Sequence, residues 1–295
     1  ILSCMLTVNG QNEFDALRYS QQSILGNARF CAMSGAFGAL GAEFSSLSYN
    51  PAGIGLYQSK EFTFTPSFNI SNNKSYSETP VDFDRIHSNI ASVGIIYTLP
   101  NNNQEWKRIN IGLGINQLAS YEKNIRIQRE NTSSSLVDKI LERADGKTID
   151  NLNDFHTSLA FWTDLIDLSN NSIDTTINPV WYLYDNGEYI PHVSSKSNKT
   201  QRADINSRGS QHEGVFSIGG SYNEYIYTGI TIGFPSIEYY ERSTYSEDNF
   251  EDTINGLEGF NYDQELSVNG TGINIKGGVI VLSLIHISEP TRRYS

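Results

Sequence analysis

The sequence predicts an all-β fold: a partial transmembrane antiparallel β-barrel, its N-terminal half, with a small helical N-terminal hatch in the lumen. Three observations carry that expectation. From Glu61 onward apolar and polar residues alternate with a period of two, the pattern of strands with two unlike faces. The connections between those strands alternate between short turns and long loops, the layout of an outer-membrane barrel. Before the strands, Gly26 to Tyr57 is crowded with Gly, Ala and Ser and closes on Asn50-Pro51-Ala52-Gly53. Small residues let backbones approach closely, and Asn-Pro and Gly interrupt regular structure.

The bulk composition is compatible with this class. Of the 295 residues, 38% are hydrophobic, yet aromatics reach 12%, with 17 Tyr and 14 Phe. Mean hydropathy is −0.39, and no run approaches the ~20 apolar residues of a membrane helix. A barrel strand shows lipid only one apolar face, so a spanning barrel reads as polar in bulk. A net charge of −12 argues against a nucleic-acid partner, since phosphate binding needs a basic face. Cys4 and Cys31 fit neither a metal-ligand spacing nor a disulfide framework.

Residues 1–10, ILSCMLTVNG, read as the remnant of a signal peptide, with Val8 and Gly10 at the −3 and −1 places of a cleavage site and Gln11 as the mature N-terminus. A short buried strand is the alternative. Residues 11–57 form the hatch. Helical spacing runs from 14 to 33, where Phe14, Leu17, Ile24 and Leu25 share a side and Asp15 suits the positive end of the helix dipole. Gly35, Gly38 and Gly41 then recur every third residue among Ala36, Phe37, Ala39 and Leu40, a run too apolar for a flexible linker.

Residues 58–281 carry the wall. A first strand has Phe62, Phe64, Phe68 and Ile70 in phase; a second, 88 to 99, slips near Ala91-Ser92. The third is clearest, with Ile109, Ile111, Leu113 and Ile115 facing one way and Asn110, Gly112, Gly114 and Asn116 the other. Its pattern weakens over Gln117-Leu118-Ala119-Ser120 and resumes at Tyr121, Ile125 and Ile127. Further strands are expected at 214–222, at 225–238 with Ile226, Thr228, Ile230, Ile232 and Phe234 on one face, around Phe260 to Val268, and from Ile273. Asn269-Gly270 is a hairpin signal between the last two. That makes seven strands, an odd count for a bacterial single-chain barrel. Long connections are expected at 72–87, 128–213 and 239–259. The longest loop, 128–213, holds a helical stripe of Leu152, Phe155, Leu159, Trp162 and Ile166 behind a cap at Asn153 or Asp154, and a second helix at Leu136 to Leu141. Such a helix either packs on the barrel mouth or helps catch an apolar ligand. Residues 282–295, LSLIHISEPTRRYS from Leu282, break the alternation and read as a non-native tail.

Catalytic and metal chemistry has no motif to rest on. The chain contains no Walker loop, no GxSxG and no HExxH, and Gly35-Ala36-Phe37-Gly38 lacks the preceding strand of a dinucleotide fingerprint. His87, His156, His192, His212 and His286 are scattered. The acidic loop Glu247 to Asp252 lacks EF-hand spacing and is expected to be a solvated face. The expectation is therefore no enzyme and no cofactor.

The run Gly35-Ala36-Phe37-Gly38-Ala39-Leu40-Gly41, followed by Asn50-Pro51-Ala52-Gly53-Ile54-Gly55 just before alternating strands, resembles the FadL/TodX family of outer-membrane transport proteins for hydrophobic compounds. The resemblance implies a monomeric barrel of the Gram-negative outer membrane whose hatch fills the lumen, and passive passage of apolar solutes such as long-chain fatty acids. Its partners would be membrane lipid and a hydrophobic small molecule. Carried onto this chain, Asn50, Pro51, Ala52 and Gly53 are hatch residues on the ligand path; the competing reading makes Asn-Pro a plain turn before the first strand. The break at Gln117, Ala119 and Ser120 is the candidate for the family's kinked strand with a lateral exit. Relatives of this fold also act as shuttles of a protein-secretion machine, and others are labelled haem receptors, for which only isolated His and Tyr residues stand ready as ligands.

Overall fold

The computed structural model describes residues 13–21, 23–75, 81–101, 105–169, 188–252 and 257–282. The expected signal remnant with Cys4, and the expected tail from residue 283 with His286, lie outside them.

The chain is all-β in its bulk, an antiparallel sheet with a few short helices. The period-two segments become β1 (Glu61–Ser75), β2 (Val81–Pro100) and β3 (Trp106–Ser120), then β4 (Lys123–Thr132). After a lobe holding helices and the small strands β5 (Ile166–Leu168) and β6 (Tyr189–Pro191) come β7 (Lys199–Tyr222), β8 (Ile226–Asp248), β9 (Gly259–Thr271) and β10 (Asn274–Val281). Sheet order is β1-β2-β3-β7-β8-β10, every ladder antiparallel, with β4 also on β7 and β9 also on β8. Among the described residues the sheet is open, with β1 at one edge and β9 and β10 at the other.

The topology corrects the strand count. β9 and β10 are not a hairpin: both run antiparallel to β8, β9 on its second half from Ser236 and β10 on its first half up to Gly233. They are one strand interrupted at Gly272-Ile273, where the Gly272 N–H bonds the Pro235 carbonyl at 2.9 Å. The Asn269-Gly270 signal misled because β9 pairs straight through both residues. β3 and β4 are likewise collinear on β7. Among the described residues the wall is thus a meander of six long strands. Much of the expected long loops is strand: β1 and β2 extend to Ser75 and Val81, β7 starts at Lys199 and β8 ends at Asp248. In each case polar residues hide the alternation.

The slip near Ala91 is a bulge. Thr65 pairs Ser92 but Pro66 pairs Ile90, leaving Ala91 unmatched opposite a proline that has no N–H to give. The bulge reverses which residues of β2 face outward, so Ile95 below it and Ile90 and Ile86 above it are all exposed.

One face of the sheet is an apolar carpet. Phe62, Phe64, Phe68, Ile70, Ile95, Leu113, Ile115, Phe216, Ile230, Phe234, Ile275 and Val279 are all exposed. The opposite face is covered by the N-terminal segment. The expected single helix over 14–33 is instead two, α1 (Glu13–Ser20) and α2 (Ala28–Ala32), separated at Gly26, whose φ of 151° suits glycine. Two 3-10 turns follow, Phe44–Ser48 and Pro51–Leu56.

The lobe between β4 and β7 has its own core of Val137, Ile140, Leu152, Ile166, Val193 and Phe250. Helix α3 (Leu136–Ala144) is capped by Ser135, whose hydroxyl accepts from the Val137 N–H. The expected stripe in this loop divides: α4 spans Thr157–Trp162, with Leu152 and Ile166 buried but Phe155, Leu159 and Trp162 exposed. Ala160 and Thr157 occupy the inner side instead.

Candidate functional site

The hatch is held by polar caps that its own sequence supplies. Glu43 caps the first turn, its carboxylate accepting from the Ser45 and Ser46 N–H groups at 3.0 and 2.9 Å. Burial pushes that carboxyl above the ordinary glutamate range even against those bonds. Asn50 caps the second turn: Oδ1 accepts from the Ala52 N–H at 3.1 Å, and Pro51 sits where its missing N–H costs nothing. The Asn50 amide also donates to the Gly38 carbonyl at 2.5 Å, so one side chain joins the Gly35–Gly41 run to the second turn. Gly41, at φ 56°, and Gly53 meet backbone to backbone, and the Ala42 N–H bonds the Gly53 carbonyl at 3.0 Å.

The wall receives these turns on glycines. Phe44, Leu47, Ile54 and Tyr57 pack with Ile96 of β2 and Val215 of β7, while Ala52 packs with Tyr227 and Ile280. Full burial of Phe44, Leu47 and Ile54 contributes about 1.5–3 kcal/mol for each side chain. A Cβ on Gly94 would overlap the Phe44 ring; one on Gly219 would stand 2.5 Å from Ile54 Cγ2; those on Gly229 and Gly278 would overlap the Pro51 carbonyl and Asn50 Oδ1. Two buried asparagines of β3 add direction. Asn110 donates to the Ile54 and Tyr57 carbonyls at 2.7 and 3.1 Å, and Asn116 donates to Ser48 Oγ at 3.0 Å. Asn50, Pro51, Ala52 and Gly53 therefore lie together where the second turn meets β8 and β10, Ala52 and Gly53 fully enclosed.

Gln117, Ala119 and Ser120 lie elsewhere, on β3 beside its last turns. Gln117 pairs His212 and Ala119 pairs Gln211, so Leu118 is the extra residue of a bulge. Here the ladder between β2 and β3 ends, while β4 still lies close to β1 and β2. β2 pairs β3 only from Pro100 up to Ser92, opposite Asn116; above that level β2 pairs β1 alone, and residues from Gln117 onward pair β7 alone. His87 of β2 approaches Glu122 at 3.2 Å across the fork. Helix α1 reaches the same place. Tyr19 meets Tyr121 and Tyr239 edge-on at 5.9 and 6.1 Å, Arg18 lies 4.2 Å over the Tyr239 ring, and the Ser23 N–H bonds the Leu118 carbonyl at 3.0 Å.

The sequence places Asn110 on the inward face without its hatch contacts, and it does not point to Phe44, Tyr19 or the receiving glycines of β2, β7, β8 and β10. The alternation of Gly with apolar residues is the available signal, and it is clear only on β3. Sequence reasoning also misjudged Glu247. This residue is fully buried rather than solvated, accepting from Ser135 Oγ, the Leu136 N–H, Gln201 and Tyr245, and so it anchors α3 to the wall. The described histidines stay apart: His156 bonds Tyr262 at 2.9 Å, His212 bonds Ser210 at 3.1 Å, and His192 lies 3.8 Å from Asp167. No family model, characterised protein or solved structure shows a significant match to the chain.

Proposed function

We propose that this chain forms part of an outer-membrane β-barrel that passively admits apolar solutes, long-chain fatty acids being the first choice, past its N-terminal hatch. The observation that carries the reading is the division of the sheet into two unlike faces. One is an apolar carpet on which none of the described residues packs; the other is a glycine surface bearing a small-residue plug capped by Asn50. Lipid matches the first face, since each exposed large side chain is favourable only out of water. The plug rests on short turns and a few side-chain bonds, an arrangement that can rearrange without unpairing the wall. The fork above Ser92 and Asn116 supplies the lateral way out, where no ladder hydrogen bonds need to break.

The test compares fatty-acid uptake in cells carrying the protein with uptake in cells carrying a variant in which Asn50-Pro51-Ala52 is replaced by a different turn. Surface abundance is matched, because a folding defect would mimic a transport defect. Lower uptake in the variant is expected. If uptake never depends on the protein, while its loss blocks secretion of surface proteins, the shuttle reading replaces this one. The exposed Phe155, Leu159 and Trp162 of the lobe are the observation that keeps that second reading in play.

A further inference from the structure

The apolar carpet has an outline that slants across the ladders. On β1 its outward side chains are Phe62, Phe64, Pro66, Phe68 and Ile70; on β8 they are Ile226, Thr228, Ile230, Ile232 and Phe234. Each set spans nine residues, the length with which a tilted barrel strand crosses a bilayer. The sets are displaced against each other. Phe62 pairs Ile95, and the row continues through Leu113 and Phe216 to Ile232, so the foot of the β1 set stands opposite the fourth member of the β8 set. The foot of the β8 set, Ile226, lies six residues lower. The heads are displaced by the same amount: Phe64 leads through Val93, Ile115 and Gly214 to Phe234, and Ile70 lies six residues beyond Phe64. Beside β8, Ile273, Ile275, Val279 and Val281 are also exposed, and Val281 pairs Ile226 at the foot.

Strand tilt accounts for the slant. Six residues measure about 20 Å along a strand, and the four ladders from β1 to β8 measure about 19 Å across the sheet. Equal steps in the two directions make the outline level when the strands lean by about 45°, the tilt of membrane-barrel strands. At that tilt the nine residues rise about 19 Å between their end Cα atoms, and the side chains at the margins bring the belt close to the ~25 Å apolar band of such barrels. Exposed Tyr97 and Tyr225 stand near the lower margin, where barrel aromatics gather. Above the upper margin the outward phase changes chemistry. β8 continues with Ser236, Glu238 and Arg242, and ion pairs join Arg126 to Asp204 at 2.5 Å, Arg202 to Asp248 at 2.8 Å and Arg242 to Glu265 at 3.7 Å. Charged groups of this kind are costly in hydrocarbon and at home in water. The lobe is anchored higher still, on Glu247, about 30 Å above Phe234 at the same tilt. We infer that bilayer hydrocarbon covers only the nine-residue belt, and that the upper half of the wall stands in water with the lobe at its top. This rests on the membrane reading above and deepens it by fixing the depth at which the wall sits.

The experiment uses the full chain, otherwise cysteine-free, assembled in phosphatidylcholine vesicles and carrying a nitroxide on Ile70→Cys, Ile226→Cys, Phe234→Cys or Arg242→Cys. Folded molecules are selected by heat modifiability, and Phe68→Cys, Thr228→Cys and Ile232→Cys stand in for any belt variant that fails to assemble. The readout is the ratio of nitroxide collisions with oxygen, which concentrates in hydrocarbon, to collisions with a water-soluble nickel chelate. A ratio several-fold higher at Ile70, Ile226 and Phe234 than at Arg242 is expected. The choice of positions is discriminating: with upright strands Ile70 and Ile226 would differ in height by about 46 Å, more than the ~30 Å hydrocarbon core can hold. A watery label at any one of the three belt positions, with another in lipid, overturns the level belt. A lipid-facing label at Arg242 overturns its upper boundary. Water at all four positions sinks the membrane reading and the belt with it.

Discussion

Gly94→Ala places one methyl group where the hatch leaves no room. The three nearest atoms to that methyl would all belong to the Phe44 ring, which is itself fully buried between β2, β3 and the first hatch turn. Because the conflict is with a single side chain and not with backbone, it makes a clean double-mutant cycle. Overpacking of this kind costs about 1–3 kcal/mol, and since the wall is tied by ladders on both sides, the hatch should be the part that gives. Phe44→Ala alone removes the obstacle but leaves a cavity, at a cost of about 3–5 kcal/mol. Combining the two puts the new methyl into that cavity, so the pair should cost less than the sum by about 1 kcal/mol or more, within the coupling seen for residues in contact. The readout is maleimide reaction of a cysteine at Ser46, a buried hatch position, in otherwise cysteine-free protein at matched abundance. Faster labelling in each single variant than in the parent, and slower labelling in the double variant than the sum of the two single effects predicts, is expected. Strictly additive effects, or no effect of Gly94→Ala, would refute the claim that Phe44 seats the hatch on this glycine.

Three further outcomes follow from the same contacts. Leu113 is 59% exposed on one face and Asn116 only 2% exposed on the other; on the proposed membrane reading Leu113→Arg should cost about 2–4 kcal/mol at a lipid midplane and lower assembly, whereas Asn116→Ser should leave the protein's abundance intact, and equal tolerance of both in a heat-modifiability gel assay would contradict that reading. Asn110→Ala strips the Ile54 and Tyr57 carbonyls of a buried donor and should loosen the second hatch turn by about 1–3 kcal/mol, read as faster amide exchange at residues 51–57 with β3 unchanged. The carboxyl of Glu43 is raised by burial, so its protonated form is favoured in the folded hatch; hatch stability should fall as pH rises from the ordinary glutamate value through the raised one, and Glu43→Gln should flatten that dependence in the same exchange measurement.

The face assignment was legible because a period of two needs no tertiary information: Ile109, Leu113 and Ile115 went out, Asn110, Gly112 and Gly114 went in. Strand ends were not legible where both faces are polar. Lys199 to His212 carries almost no alternation, yet it is strand because β8 pairs it residue by residue and β4 takes its other edge. Asn269-Gly270 shows the converse error. A turn-favouring pair is a local preference of modest size, and a long ladder to Glu238 and Ile237 overrides it. The helical stripe at 152–166 failed for a related reason: a short helix in a lobe is held by whichever residues its neighbours enclose, and with α3 and β5 as its neighbours Thr157 and Ala160 are buried rather than Trp162. Asn50 stands out in the sequence through its Asn-Pro motif, but its bond to Gly38 joins segments 12 residues apart and only a folded hatch could reveal it.

The fork follows from counting residues along β7. Twenty-four residues of β7 present one edge to the chain that enters as β3 and leaves as β4. Leu118 adds a residue to that entering chain, and the ladder to β7 resumes at Lys123 after the interruption at Tyr121-Glu122. A bulge increases twist and bends the strand that carries it, so beyond Gln117 the chain keeps its ladder to β7 and ends its ladder to β2, although β4 still lies close to β1 and β2. Meanwhile β2 carries its own unmatched residue, Ala91, at the same height, and turns with β1 instead. Two bulges on neighbouring strands, one level apart, therefore steer them to opposite partners. Removing one of them should reunite the ladder: deletion of Leu118 brings Gln117 and Ala119 into continuous register with His212 and Gln211. If the fork is the exit, this variant should reach normal abundance while its fatty-acid uptake falls well below that of the parent. Uptake equal to the parent's, with backbone exchange showing newly protected amides on β2 above Ser92, would show that the strands had closed and that solute leaves by another route.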